Sequence, residues 1–151
     1  MDTKIKIGEL APNFSFPSNK GTITLTDYLG KKSVVLFFYP KDETPGCTKE
    51  SCSFRDSYES FIKADSEVIG VSSDSIKSHE KFAQNHRLPF PLVSDEKGEL
   101  RKLYQVPKTL GLLPGRVTYV IDKQGIIRHI FSSQLQATKH IEEALTIINN
   151  L

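Results

Sequence analysis

Seven consecutive residues, Ser33–Tyr39 (Ser-Val-Val-Leu-Phe-Phe-Tyr), carry no charge and, after the serine, only β-branched, aliphatic or aromatic side chains. A run of this length and kind suits a strand buried on both faces, as at the centre of a parallel sheet. Pro40 stops it, because proline lacks the N–H that a central strand must donate. Glu67–Ser72 (Glu-Val-Ile-Gly-Val-Ser) reads the same way. Between the two, Gly46 to about Lys63 has helical spacing, with Cys47, Phe54, Tyr58, Phe61 and Ile62 near one face.

Ser75–Asn85 follows as a helix, with Ile76, His79, Phe82 and Ala83 at three-four spacing. Pro91–Ser94 reads as a short strand, Lys97–Tyr104 as a helix and Leu113-Pro114-Gly115 as a turn. Arg116–Ile121 and Gly125–Ser132 read as strands joined around Asp122–Gly125, and Thr138–Asn150 as a closing helix with Ile141, Ala144, Leu145 and Ile148 on one face. Ahead of all these, Asn13–Phe16 and Thr22–Leu25 alternate apolar and polar residues around Asn19-Lys20-Gly21, a small hairpin. Strand–helix alternation predicts a largely parallel sheet, and the late hairpin adds antiparallel strands. The expected fold class is α/β: a thioredoxin-like α/β/α sandwich with a mixed central sheet and an N-terminal β-hairpin extension.

The 151 residues suit one domain spanning 1–151. A domain of this size hides roughly 68–70% of the surface its unfolded chain exposes, so it needs no disulfide staples. Two cysteines are in any case too few for a small secreted scaffold. Twenty Lys and Arg against eighteen Asp and Glu leave a net charge of +2. That balance, with no basic stripe, argues against a nucleic-acid partner. No apolar run approaches the roughly 18 residues of a membrane span, and the N-terminus lacks the apolar core of a signal peptide. The expectation is a cytoplasmic protein, with the chloroplast as the alternative if a transit peptide has been removed.

The two cysteines, Cys47 and Cys52, lie directly after the first buried strand, in Pro40-Lys-Asp-Glu-Thr44-Pro45-Gly46-Cys47-Thr-Lys-Glu50-Ser-Cys52. Pro45 fits the first helical position, where its missing N–H costs nothing, and Thr44 is then the natural N-cap. Cys47 falls in the first helical turn, near unpaired N–H groups and the positive end of the helix dipole, and both favour a thiolate. Ionisation alone is a weak catalyst. A thiol pKa lowered to ~6 raises the thiolate fraction at pH 7 from ~3% to ~90%, while nucleophilicity falls. A fast enzyme also needs groups that stabilise charge developing on the leaving atom. The candidates are the Thr44 hydroxyl, the N–H groups of Gly46 and Cys47, and a cation from elsewhere.

Five residues along an ideal helix separate Cα atoms by ~8.6 Å. A disulfide needs roughly 4.4–6.8 Å. Cys47 and Cys52 therefore either never pair or pair only when the helix start unwinds. The four histidines (His79, His86, His129, His140) show no zinc-type spacing with either cysteine and are expected at the surface or half-buried.

Pro40-x-x-x-Thr44-x-x-Cys47 matches the peroxiredoxin active-site motif, and Thr44-Pro-Gly-Cys47-Thr-x-Glu50-x-Cys52 resembles the peroxiredoxin Q, or bacterioferritin-comigratory, branch. The similarity extends through Gly8-x-x-Ala11-Pro12-x-Phe14, Phe37-Phe38-Tyr39-Pro40, Gly70-Val-Ser-x-Asp74 and Pro114-Gly115-Arg116-Val-Thr-Tyr-Val-Ile-Asp122. The resemblance implies thiol-dependent reduction of hydrogen peroxide and organic hydroperoxides, without metal, haem or flavin. It implies Cys47 as the peroxidatic cysteine and Cys52 as the resolving cysteine of an intramolecular disulfide. It further implies that Thr44 bonds the peroxide, Pro40 shields the thiolate pocket and Arg116 supplies the cation. Thioredoxin or a similar dithiol is the implied reductant, and a monomer is expected because no second subunit is needed to complete the disulfide.

Glu50 is open at this level between holding Arg116 or the helix turn and lying solvated on the helix face. Phe38 and Phe54 read as core. Two other functions compete. A thiol–disulfide oxidoreductase on the same fold carries Cys-x-x-Cys and a proline before the facing strand; here four residues separate the cysteines and Val117 occupies that place. A redox sensor or holdase would stop after one equivalent of peroxide, whereas a peroxidase turns over.

Overall fold

A computed structural model describes residues 5–109 and 113–151. The chain runs β1 (Ser15–Ser18), β2 (Gly21–Thr24), β3 (Ser33–Phe38), α1 (Pro45–Asp56), α2 (Tyr58–Lys63), β4 (Ser66–Ser72), α3 (Ile76–His86), β5 (Leu92–Ser94) and α4 (Glu99–Leu103). It continues with β6 (Lys108–Thr109), β7 (Leu113–Pro114), β8 (Val117–Ile121), β9 (Ile127–Ser132) and α5 (Lys139–Asn149). Seven strands form one sheet in the order β2-β1-β5-β4-β3-β8-β9. β3, β4 and β5 are parallel, whereas β8 pairs antiparallel with β3 and β9 antiparallel with β8. The N-terminal hairpin joins the sheet through β1 and β5. This is the expected thioredoxin-like sandwich with a mixed sheet.

All six residues of β3 are buried, as its sequence requires of an interior strand, here between β4 and β8. Their alternation splits the core. Val35, Phe37 and Tyr39 pack against α1, α2, α3 and α5 through Phe54, Phe61, Phe82, Ile141, Ala144 and Ile148. Val34, Leu36 and Phe38 face the other side, where α4 and the N-terminal segment supply Leu100, Ala11, Phe14, Ile23 and Leu25. The second layer is thus one short helix plus extended chain.

Two expectations need correction. The helix from Gly46 to Lys63 is two helices, broken at Ser57, whose N–H reaches Ser53 O (3.2 Å) and whose carbonyl accepts from Ser60 N (3.0 Å). The backbone at Ser57 (φ −102°, ψ 5°) leaves the helical range, and its side chain makes no capping bond to α2. The break resets the helical face, so Phe61 is buried while Ile62 is exposed. Leu113–Pro114, expected as a turn, instead pairs with Lys108–Thr109 in a two-stranded antiparallel ribbon. No helix among the described residues is long and apolar enough to cross a membrane.

Candidate active site

Pro40 leaves β3 half-buried, and Thr44 takes the N-cap position of α1 with Pro45 at its start. The Thr44 hydroxyl does not cap the helix; Oγ1 donates to Lys41 O (2.8 Å). The first intrahelical bond in the turn runs from Thr48 N to Thr44 O (2.8 Å), so the amides of Gly46 and Cys47 precede it at the positive end of the helix. Cys47 is 1% exposed. Burial on that scale suits an inert core thiol. What separates Cys47 from one is a cation: Arg116 Nη2 lies 3.4 Å from its Sγ.

Arg116 stands immediately before β8, across the sheet end from α1, and is itself 5% exposed. Each nitrogen of its fork has a partner. Nη1 donates to Glu50 Oε1 (2.6 Å), Nε to Gln134 O (3.2 Å) and Nη2 to Cys47. Burial works against the guanidinium charge, but the adjoining Glu50 and Cys47 outweigh it and hold Arg116 more firmly protonated than usual. Gly46 clears space for its guanidinium, and Gly115 for the Pro107 backbone. A Cβ on Gly115 would meet Pro107 O at 2.2 Å, and one on Gly46 would sit 3.0 Å from Arg116 Nη2.

Glu50, open in the sequence, is fully buried behind Arg116. Burial pushes its carboxyl up to about 8, and the guanidinium offsets only part of that. Oε2 has no hydrogen-bond partner and lies 3.5 Å from His140 Nδ1.

The histidine expectation fails at two positions: His79 and His140 are both fully buried. His140 Nε2 faces Ser133 O (2.8 Å), which only accepts, so that nitrogen carries the proton and Nδ1 accepts from Thr118 Oγ1 (2.7 Å). Desolvation lowers its pKa to about 4. His140 is therefore neutral when folded and protonates near pH 6.5 when unfolded, so its contribution is complete above 6.5 and lost as pH falls to 4. Glu50 has the opposite slope, since its folded value is raised. The two separate in a comparison with His140→Gln: wild type loses on the order of 2–3 kcal/mol relative to the variant between pH 6.5 and 4. Urea denaturation across that range measures it; parallel slopes would contradict a buried neutral His140.

His79 anchors the loop ahead of Cys47. Its Nδ1 lies 2.8 Å from Asp42 Oδ2 and its Nε2 3.0 Å from Val93 O. Asp42 also accepts from Tyr39 Oη (2.6 Å) and Ser78 Oγ (2.8 Å), and its N–H donates to Asp74 Oδ2 (2.8 Å). Arg101 adds Nη2 to Tyr39 O (3.2 Å) and Nη1 to Ser73 Oγ (2.8 Å). Asp42, Asp74 and His79 bring ligand-type atoms within 4.8 Å of one another. Those atoms are already engaged as hydrogen-bond partners, so the cluster is an anchor for the loop. Nothing local in the sequence marks it, because Asp42 lies 32 residues from Asp74 and 37 from His79.

Cys52 lies further along the intact α1, half-buried, and both thiols are free. Of the five residues singled out by sequence, the recorded contacts join Cys47 and Arg116. Pro40 and Thr44 flank them on the loop, and Cys52 shares their helix.

Residues 7–130 match the AhpC/TSA family. A chloroplastic peroxiredoxin Q of Triticum aestivum is 53% identical over 150 residues, covering 98% of this chain and 69% of that protein. The Arabidopsis thaliana protein of the same name is 50% identical over 146 residues, covering 96% and 68%. Among solved structures, the peroxidoxin BcpB of Mycobacterium tuberculosis superposes with a TM-score of 0.89 at 34% identity, over 97% of this chain and 98% of that one. PrxQ of Xylella fastidiosa also gives 0.89, at 30% identity over 99% and 98%. A buried cysteine at a helix start with an arginine against its sulfur is thus found on a fold and in a sequence that agree on one assignment: the chain belongs to the AhpC/TSA family, in its peroxiredoxin Q branch.

Proposed function

We propose that the thiol-dependent peroxidase activity of this chain runs through Cys47 as nucleophile and Cys52 as resolving thiol. The observation that carries this reading is Arg116 Nη2 at 3.4 Å from a sulfur that is 1% exposed, at the first turn of a helix. In a site so short of water, a fixed cation stabilises negative charge far better than solvent would. The Cys47 thiolate attacks the terminal peroxide oxygen. An S–O bond forms, the O–O bond breaks, and the departing alkoxide or hydroxide takes a proton and leaves as alcohol or water. Cys47 is then a sulfenic acid. Thr44 and the amides of Gly46 and Cys47 are the proposed donors to the peroxide, and Pro40 the shield of the pocket.

Both cysteines lie on one intact helix, at a separation beyond disulfide reach. The first turn of α1 must open before Cys52 attacks the sulfenic sulfur, forming S–S and expelling water. A dithiol such as thioredoxin then reduces the bond. Sustained peroxide consumption with thioredoxin, its reductase and NADPH tests the reading; a stop after one equivalent contradicts it. Cys52→Ser keeps the fast first oxidation but accumulates sulfenic and then sulfinic acid, read as added oxygen by intact mass. A Cys52→Ser protein that still turned over at the wild-type rate with thioredoxin would remove Cys52 from the cycle.

The relatives named above are chloroplastic proteins, which favours the plastid alternative over the cytoplasm. Fractionation of the source cells decides this, a cytosolic signal counting against it. Because one helix holds both thiols, the proposed working unit is a monomer, and sedimentation at assay concentration checks it.

A further inference from the structure

Two turns of α3 face the segment that leads into Cys47. Ser78 and His79 hold Asp42, which is buried. Seven residues further along, Asn85 Nδ2 donates to Glu43 Oε2 (2.8 Å) and His86 Nε2 lies 2.8 Å from Glu43 Oε1. The inner grip is dry, whereas the outer one is open, with the Glu43 side chain 46% exposed and His86 26%. Glu43 also has φ +63°, a left-handed backbone that a non-glycine residue adopts at a cost. Such conformations persist where surrounding contacts over-determine them, and they collect at segments that switch.

We propose that the Glu43 contacts with Asn85 and His86 form a latch that sets how often the first turn of α1 opens for Cys52. This rests on the roles assigned above to Cys47 and Cys52. Asp42 is the fixed point: its carboxylate accepts three bonds and its amide donates a fourth, all buried or nearly so. Chain that unwinds from Cys47 toward the N-terminus meets Glu43 just before this anchor. Among the described residues, Glu43 makes the side-chain bonds that tie segment 43–46 to another element. Thr44 Oγ1 binds only within its own loop. Releasing Glu43 frees the turn and lets a strained residue relax, so the latch opposes a motion that the backbone itself favours. It touches neither Cys47 nor Arg116, so it acts on the resolving step and not on the attack on peroxide.

Glu43→Ala tests this by two readouts. Rapid mixing with peroxide follows loss of the Cys47 thiol, and quenched alkylation follows disulfide formation. Intact mass gives the peroxide dose at which sulfinic acid appears. The first oxidation stays within about twofold of wild type, since the exposed Glu43 side chain bonds to α3 and not to Cys47 or Arg116. Disulfide formation accelerates about three- to tenfold, the scale of two exposed hydrogen bonds to a carboxylate. The sulfinic dose rises by a similar factor. His86→Gln, which leaves the Asn85 bond, gives a smaller acceleration in the same direction. Disulfide formation at the wild-type rate in Glu43→Ala, with the first oxidation intact, overturns the latch; so does a slowed first oxidation, which would make Glu43 part of the pocket. A wild-type Cys47 that peroxide leaves unoxidised would instead sink the reading of the site itself.

Discussion

Serine in place of Cys47 abolishes peroxide turnover, with a fall of at least about 10⁴-fold, the scale on which removal of a nucleophile acts. A serine hydroxyl is a far weaker acid than a thiol, so even Arg116 beside it yields no useful alkoxide at pH 7. Sulfenic chemistry is closed to oxygen altogether, so no later step of the cycle can proceed. The fold tolerates the change. The hydroxyl occupies less space than the thiol and can accept from Arg116 Nη2, now 3.4 Å from the sulfur, so stability moves by no more than about 1 kcal/mol. A coupled thioredoxin assay alongside urea denaturation reads both quantities. Retained turnover in a folded Cys47→Ser protein would remove this residue from the mechanism.

Arg116→Ala lowers the rate of Cys47 oxidation by about 10²–10³, the range for removing a preorganised donor from a developing charge. Its effect on stability is smaller. Glu50 Oε1 loses the Nη1 partner 2.6 Å away, but burial already favours the neutral acid, so no bare carboxylate is stranded. The expected cost is about 1–3 kcal/mol for the bonds lost. Arg116→Lys recovers little of the rate. One ammonium cannot span Glu50, the Gln134 carbonyl and the Cys47 sulfur as the planar fork does. Stopped-flow oxidation of the three proteins, with matched denaturation curves, checks the pattern. Equal oxidation rates in wild type and Arg116→Ala would contradict the role given to the guanidinium.

Much of the fold was legible because it follows from local pattern. The apolar run to Tyr39 became a fully buried interior strand, and Pro40 ended it. Thr44 and Pro45 opened α1 at the expected place. The break at Ser57 was not legible, since Phe54, Tyr58 and Phe61 continue a helical spacing through it. The β6–β7 ribbon is two residues per strand, too short for alternation to register. At the site, the motif located Cys47 and Arg116, but the second layer rests on partners distant in the chain. Glu50 meets Arg116 across 66 residues, and His79 meets Asp42 across 37. A histidine's burial depends on such partners, so His79 and His140, expected at the surface or half-buried, are both in the interior. The αL backbone of Glu43 had no sequence signal at all, because nothing distinguishes that glutamate from a solvated one.

The central claim is that a thiol backed by Arg116 is oxidised first and then reaches Cys52 by opening its own helix. Peptide mass spectrometry under non-reducing conditions, after one equivalent of hydrogen peroxide, tests it most directly. The account predicts a single chain lighter by two hydrogens, with the lost pair mapped to a bond between Cys47 and Cys52. Both thiols still open to alkylation, or a bond joining two chains, would contradict it.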